Sequence, residues 1–190
     1  FSISNAEHTL VNLNNYTRKE LKKLYLYKSY RSSYQITNLA NSVLDRTDCD
    51  PVKRVGVDPE LKQVKTKEDL IGFIQTKLKQ YKEKGYNNIG IITKTSKNAR
   101  ELYSICKSID GMQLISTNDT YTNGCVIIDA FSSKGLEFDA VIVFNANDVE
   151  YATELDRQLL YVSITRALHE ISLLYTGKPS NYLHNYFYKG

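Results

Sequence analysis

The sequence predicts an α/β protein built on a mostly parallel sheet flanked by helices, and three observations carry that prediction. Short continuous apolar runs at Asn88–Thr93 (NIGIIT), Val126–Ile128 and Ala140–Phe144 have the pattern of strands buried on both faces of a parallel sheet. Segments of helical periodicity alternate with such runs, and that rhythm implies right-handed βαβ crossovers. The chain has 190 residues, 42% apolar and 24% charged, which suits a single globular domain with a proper core.

Taken in order, residues 1–23 are polar and carry too few apolar positions to define an element. Leu24–Leu26, alternating with Tyr25 and Tyr27, reads as a strand that delivers Tyr30 and Arg31 to its C-terminal edge. Ser33–Leu44 reads as a helix, with apolar residues at 36, 39, 40, 43 and 44 and with Ser32 or Ser33 as its cap. From Asp45 to Lys65 turn-formers recur (Asp48, Asp50, Pro51, Gly56, Asp58, Pro59), leaving room for short strands around Val55 and Val64. Thr66 and Asp69 form a capping pair for a helix that turns Leu70, Ile71, Ile74 and Leu78 inward and stops at Gly85. After the strand at 88–93 a helix runs from about Ser96 to Ile109, with Ala99, Leu102, Tyr103 and Cys106 inward. Met112–Ile115 and Val126–Ile128 are further strands, and Asp156–Ala167 is a helix with Arg166 at its far end. Ile171–Tyr175 closes the set, before a Gly-Lys-Pro turn at 177–179 and the tail Tyr186-Phe187-Tyr188.

The net charge of +4 permits a phosphate-rich partner without demanding one. Arg18, Lys19, Lys22, Lys23, Lys28 and Arg31 cluster with only Glu20 opposed, which reads either as a solvated basic face or as a nucleic-acid contact. Cys49, Cys106 and Cys125 lack paired spacing, so neither a disulfide framework nor a zinc site is expected, and a reducing cytoplasm fits. His8, His169 and His184 are scattered, and Asp45, Asp48, Asp50 and Asp58 match no calcium loop, so no metal site is expected in the chain. No apolar run approaches bilayer length. The chain opens on Phe1 rather than Met, as a fragment of a longer protein would.

The densest chemistry lies between Cys125 and Arg166. Ser132-Ser133-Lys134-Gly135-Leu136-Glu137 puts a Lys and a Glu on a Gly-containing turn at a strand end, where open α/β sheets hold ligand-binding groups. Gly135 offers a positive φ or a close backbone approach. Lys134 and Glu137 could equally form a surface ion pair worth ~0 to 1 kcal/mol, and Arg166 a cation favoured by the dipole at a helix C-terminus. Tyr30 offers a face for stacking and Arg31 a fork of donors matched to phosphate.

At these residues the chain resembles the superfamily 1 DNA helicases of the UvrD/Rep/PcrA type. KGLEFDAVIV at 134–143 looks like their motif V, LLYVSITRA at 159–167 like their motif VI, and Tyr30-Arg31-Ser32 with Ala40-Asn41 like their motif IV. The resemblance implies the second, C-terminal RecA-like motor domain, a three-layer P-loop NTPase-like fold, in a protein that hydrolyses ATP and tracks single-stranded DNA 3′ to 5′. It implies that Tyr30 stacks on adenine and that Arg31 approaches the γ-phosphate. Glu137 would accept from the ribose, with Lys134 and Gly135 beside the nucleotide or the DNA. Arg166 would be an arginine finger reaching across to the γ-phosphate. Ser132 and Ser133 would meet a DNA phosphate, and Phe131, where relatives often carry His, would stack on a base. Gln158, Tyr161 and Thr165 are expected to pack or to bond locally.

A phosphate loop of the form G-x-x-x-x-G-K-[ST] is absent: before Gly177-Lys178, residue 172 is Ser. ATP and Mg²⁺ would therefore be held mainly by an N-terminal RecA-like domain of the same polypeptide, and this chain alone is expected to be inactive. Only about a hundred residues separate Arg31 from Lys134, too few for the large inserted domain of the best-known members. That resembles the helicase IV/HelD-like branch, some of whose members act on RNA polymerase. An ATP-driven polymerase-recycling factor, or a catalytically dead RecA-like binding module, are the alternative readings. Single-stranded DNA or a duplex junction is the expected partner.

Overall fold

The computed structural model describes residues 28–29, 31–45, 50–51, 54–116 and 123–188. In chain order the elements are β1 (Lys28–Ser29), α1 (Tyr34–Val43), β2 (Asp50–Pro51), β3 (Glu60–Gln63), α2 (Lys67–Glu83), β4 (Asn88–Thr93) and α3 (Ser96–Cys106). There follow β5 (Met112–Leu114), β6 (Gly124–Asp129), β7 (Phe138–Val143), α4 (Glu154–Ile164), β8 (Ala167–Tyr175), a single 3₁₀ turn at Asn181–Leu183 and α5 (His184–Phe187). Six strands form one parallel sheet in the order β3-β8-β7-β4-β6-β5. β1 and β2 pair separately, also in parallel. The expected strand at Leu24–Leu26 lies outside the described residues.

Each face of the sheet carries its own core, so the architecture is three-layered. On one side α1 contributes Ile36, Leu39, Ala40 and Val43, and α4 contributes Leu160 and Ile164, against Val126, Ile128, Val141, Val143 and Ile171. On the other, Leu70, Ile74 and Tyr81 of α2 and Ala99, Leu102 and Cys106 of α3 pack on Ile91, Ile127, Ala140, Ile142 and Leu174. Side chains of a strand alternate between faces, so the middles of β4, β6 and β7 have to be apolar on both, as Ile89–Ile92, Cys125–Ile128 and Ala140–Val143 are; polar residues stand only at or near the strand ends (Asn88, Thr93, Asp129, Asp139).

The connection from β6 to β7 decides where the chemistry goes. β4 lies between these two strands, so the chain must cross over it. Residues 130–137 do so in a compact turn closed by Ser133 N–H to Asp129 O (2.9 Å), Lys134 N–H to Phe131 O (3.2 Å) and Leu136 N–H to Ser133 O (3.0 Å). Gly135 sits in this turn at φ +87°, the left-handed region expected of it. Ala130, Leu136 and Phe138 join the core beside α1 and α4. Phe138 lies over β4 at Gly90, where a Cβ would meet its ring at 2.7 Å.

Some local expectations change. Ser33 occupies the N-cap position of α1, but its side chain makes no capping bond. Ser32 instead donates to Ala167 O at 2.6 Å, because the segment is laid against the start of β8. The strand placed near Val55 is absent, Val55 being exposed in a loop, while the one expected around Val64 is Glu60–Gln63, paired to β8. Thr66 caps α2 by accepting from Asp69 N–H at 3.0 Å, and Gly85 follows its end at φ +78°, both as expected. β8 begins at Ala167, four residues earlier than its apolar run suggested. Among the described residues no helix is long and apolar enough to cross a membrane.

Candidate functional site

Three segments distant in sequence meet at the amino-terminal edge of β7 and β8. Glu137 directly precedes β7 and Arg166 directly precedes β8, and the two strand starts are locked by Phe138 N–H donating to Arg166 O at 2.9 Å. The segment carrying Arg31 is fastened to the same place by Ser32 Oγ–H to Ala167 O and Ser33 N–H to Leu168 O (3.2 Å). Arg31 Nη2 then reaches Glu137 Oε1 at 2.6 Å, with both side chains a little under half exposed.

The helix expected over Asp156–Ala167 is Glu154–Ile164, so Arg166 stands in the turn just beyond α4, where the chain enters β8, and is held by acceptors on two sides. Its Nε donates to Val162 O at 3.2 Å, Nη1 to Leu136 O at 3.3 Å and Nη2 to Thr165 Oγ1 at 3.2 Å. Free carbonyls at a helix C-terminus attract a cation, which explains the first of these contacts. Burial and the neighbouring Arg31 charge both push the Arg166 guanidinium below its ordinary pKa, with Glu137 and Tyr161 opposing. It stays protonated at neutral pH all the same. A cleft of about 280 Å³ opens beside these groups, between α1 and the end of α4, lined by Arg31, Thr37, Asn41, Tyr161, Thr165 and Arg166 among others. The two guanidiniums that line the cleft can grip an anion, and the Glu137 carboxylate paired with Arg31 can accept from a hydroxyl.

The position of Glu137 departs from the strand-end expectation. It lies at the amino-terminal edge of the sheet, whereas Phe131 and Ser132 lie at the carboxyl-terminal edge, just beyond β6. The turn at 130–137 runs from one edge to the other, a depth of ~20 Å for six-residue strands. At the carboxyl edge Asp129 accepts from Phe131 N–H (3.0 Å), Ser132 N–H (3.0 Å) and Ser132 Oγ–H (2.7 Å). Phe131 is 63% exposed, and Lys134 Nζ lies 4.7 Å from its ring centroid, a cation–π arrangement. Lys134 therefore accompanies Phe131, and Glu137 pairs with Arg31 rather than with Lys134. Ser133 is fully buried and donates to Ala130 O at 2.9 Å, so its hydroxyl faces the turn and not the surface. Tyr30 lies outside the described residues. Thr165 bonds locally to Val162 O, as expected of it.

Sequence reasoning missed a pair that orients the helix carrying Arg166. Lys94, just after β4, reaches Asp156 Oδ1 at 2.6 Å and donates to Glu150 O. Asp156 also closes a capping box with Thr153 at the start of α4. Burial alone would raise the Asp156 carboxyl; the bonds from Lys94 and Thr153 outweigh it and bring the pKa down to about 2. A lone Lys and a lone Asp 62 positions apart carry no spacing signature; only the T-x-x-D cap was readable. The thiols of Cys106 and Cys125 are buried and free, and burial pushes them up to about 11 and about 12, which removes them as nucleophiles. Among the described residues no group of three His, Cys, Asp or Glu is placed to hold a metal ion.

Comparison with known proteins gives a consistent result. Residues 124–177 match the family model of the UvrD-like helicase C-terminal domain. The crystal structure of the C-terminal domain of a possible DNA helicase from Lactobacillus plantarum WCFS1 superposes with a TM-score of 0.72 at 32% identity, covering 84% of this chain and 95% of that one. The helicase of PRRSV gives a TM-score of 0.43 at 10% identity, over 76% of this chain and 28% of that one, a likeness on which nothing rests. No curated protein matches.

Proposed function

Because the chain belongs to the family of UvrD-like helicase C-terminal domains, we propose that it is the second motor domain of an ATP-driven DNA helicase or translocase that tracks single-stranded DNA 3′ to 5′. The observation that carries this reading is the convergence of Arg31, Glu137 and Arg166 on one edge of the sheet, from segments 106 and 29 positions apart. Such a set supplies donors for phosphate oxygens and one acceptor for a ribose hydroxyl.

ATP, when bound between this domain and an N-terminal RecA-like domain, supplies the phosphoryl group whose transfer drives the motor. The residues here fit the phosphate side of that group, since both arginines are donors only. Arg166 and Arg31 would neutralise charge developing on the γ-phosphate. Tyr30 would stack on the adenine, and Lys134 and Gly135 belong to the turn that links the two edges of the domain. Mg²⁺ would be held by the opposite domain, because guanidiniums are not metal ligands. At the carboxyl edge, Phe131 offers a stacking face and Ser132 and Lys134 offer donors to a DNA backbone. Ser133 would act there through the shape of the turn. Different arrangements of the two domains would be favoured with and without nucleotide, a shift driven by differential contacts.

Arg166→Ala in the intact protein is the direct test, with DNA-stimulated ATPase as readout. A fall on the order of 10³-fold or more is expected of an arginine finger; activity near the wild-type level would remove the assignment. Between Arg31 and Lys134 most of the described residues belong to helices packed on this sheet, to its strands β3 to β6 and to the short β2, which favours the insertion-free helicase IV/HelD-like branch. Unwinding of a 3′-tailed duplex, set against capture of RNA polymerase, separates a DNA motor from a polymerase-recycling factor built on the same parts. ATPase activity of the intact protein also excludes a catalytically dead binding module.

A further inference from the structure

We propose that Glu137 is a counter-ion gate that occupies Arg31 until a γ-phosphate displaces it, and so tunes the preference of the site for nucleoside triphosphate over diphosphate. The inference rests on the proposed nucleotide role of this edge and adds a second task to Glu137 beside accepting from a ribose.

Arg31 Nη2 and Glu137 Oε1 are 2.6 Å apart, a direct charge-assisted contact. Arg166 lies close enough for both charges to act on it, Arg31 unfavourably and Glu137 favourably. Two guanidiniums gathered at one edge repel each other, and the Glu137 carboxylate, paired with Arg31 and acting favourably on Arg166, relieves that repulsion. The same carboxylate also competes with an arriving anion. With Glu137 ionised the trio carries a net charge of +1; with a neutral side chain at 137 it carries +2. The pair is nearly half exposed, so it is weak enough to open. Arg166, by contrast, is held by backbone carbonyls and by Thr165, acceptors that leave its charge unneutralised. The two arginines are therefore held differently: Arg166 is positioned, and Arg31 is tethered to an ion that a phosphate can replace. A diphosphate that does not reach Arg31 gains nothing from breaking the tether, whereas a triphosphate exchanges one anion for another.

The test compares binding of a non-hydrolysable ATP analogue and of ADP, each with Mg²⁺, to the intact protein and to Glu137→Gln, which keeps the size of the side chain and removes its charge. Glu137→Gln should bind the analogue about two- to five-fold more tightly relative to ADP, the range set by exposed ion pairs. In the double variant Arg31→Ala/Glu137→Gln that gain should vanish. Equal weakening for both nucleotides would leave Glu137 as a ribose acceptor only and overturn the gate, as would no change for either. If Arg31→Ala and Arg166→Ala both left the preference for the analogue over ADP at its wild-type value, the nucleotide role of this edge would itself fail, independently of the gate.

Discussion

Asp156 shows how a single residue can matter to a site it does not touch. Its carboxylate ties the first turn of α4 to Lys94, while Arg166 follows just beyond the last turn. Its folded pKa, about 2, lies below the ordinary 3.8, so the stabilisation it gives is complete above about pH 5 and is lost as pH falls through roughly 4 to 2. The loss is on the order of 2 kcal/mol, because both partners are mostly buried. Urea unfolding at about pH 6 and about pH 2.5 should show it, and Lys94→Met should flatten the difference. A pH dependence as steep in Lys94→Met as in the wild type would dissociate Asp156 from it. At this scale the sequence was legible only where residues stood in a recognisable order. Arg31, Glu137 and Arg166 were singled out through their motifs, while the tether between Arg31 and Glu137 was hidden, since two charges 106 positions apart announce nothing until the fold joins them.

Among the elements, the central strands were readable because burial on both faces forces unbroken apolar runs, and β4 matched its expected bounds at both ends. β3 was legible only through Val64, beside which a short strand was expected: Glu60–Gln63 itself reads ELKQ, and an edge strand at the rim of the sheet can be polar without cost. Val55 misled because a β-branched residue between turn-formers resembles a strand, yet it is a loop residue 83% exposed. Gly90 was unremarkable in sequence and is demanding in structure, since the ring of Phe138 fills the space a side chain would need. Gly90→Ala should push Phe138 and cost ~1 to 3 kcal/mol, the usual range for overpacking, read as a lowered midpoint in thermal unfolding. A variant as stable as wild type would show that the ring can move aside, and with it the start of the strand that Glu137 precedes.

For the whole molecule, the sheet has two edges that carry candidate residues, joined by the turn at 130–137. The amino edge gathers Arg31, Glu137 and Arg166; the carboxyl edge exposes Phe131 with Lys134 over its ring. This division was not legible, because spacing counts residues and does not give direction: Phe131 and Glu137 are near neighbours in sequence and stand a strand's length apart. If the carboxyl edge meets DNA, Phe131→Ala in the intact protein should weaken binding of a labelled single-stranded oligonucleotide by ~1 to 3 kcal/mol, the range for one stacked base. Fluorescence anisotropy measures it, and a change under about two-fold would remove Phe131 from the interface.

The rims of the sheet have a consequence of their own. Of its outermost strands, β5 spans three residues and β3 four, and β3 carries Glu60 and Lys62. Short, charged margins give a foreign polypeptide little to pair with. Crowding such domains together should therefore not drive them into aggregates through sheet-to-sheet contact.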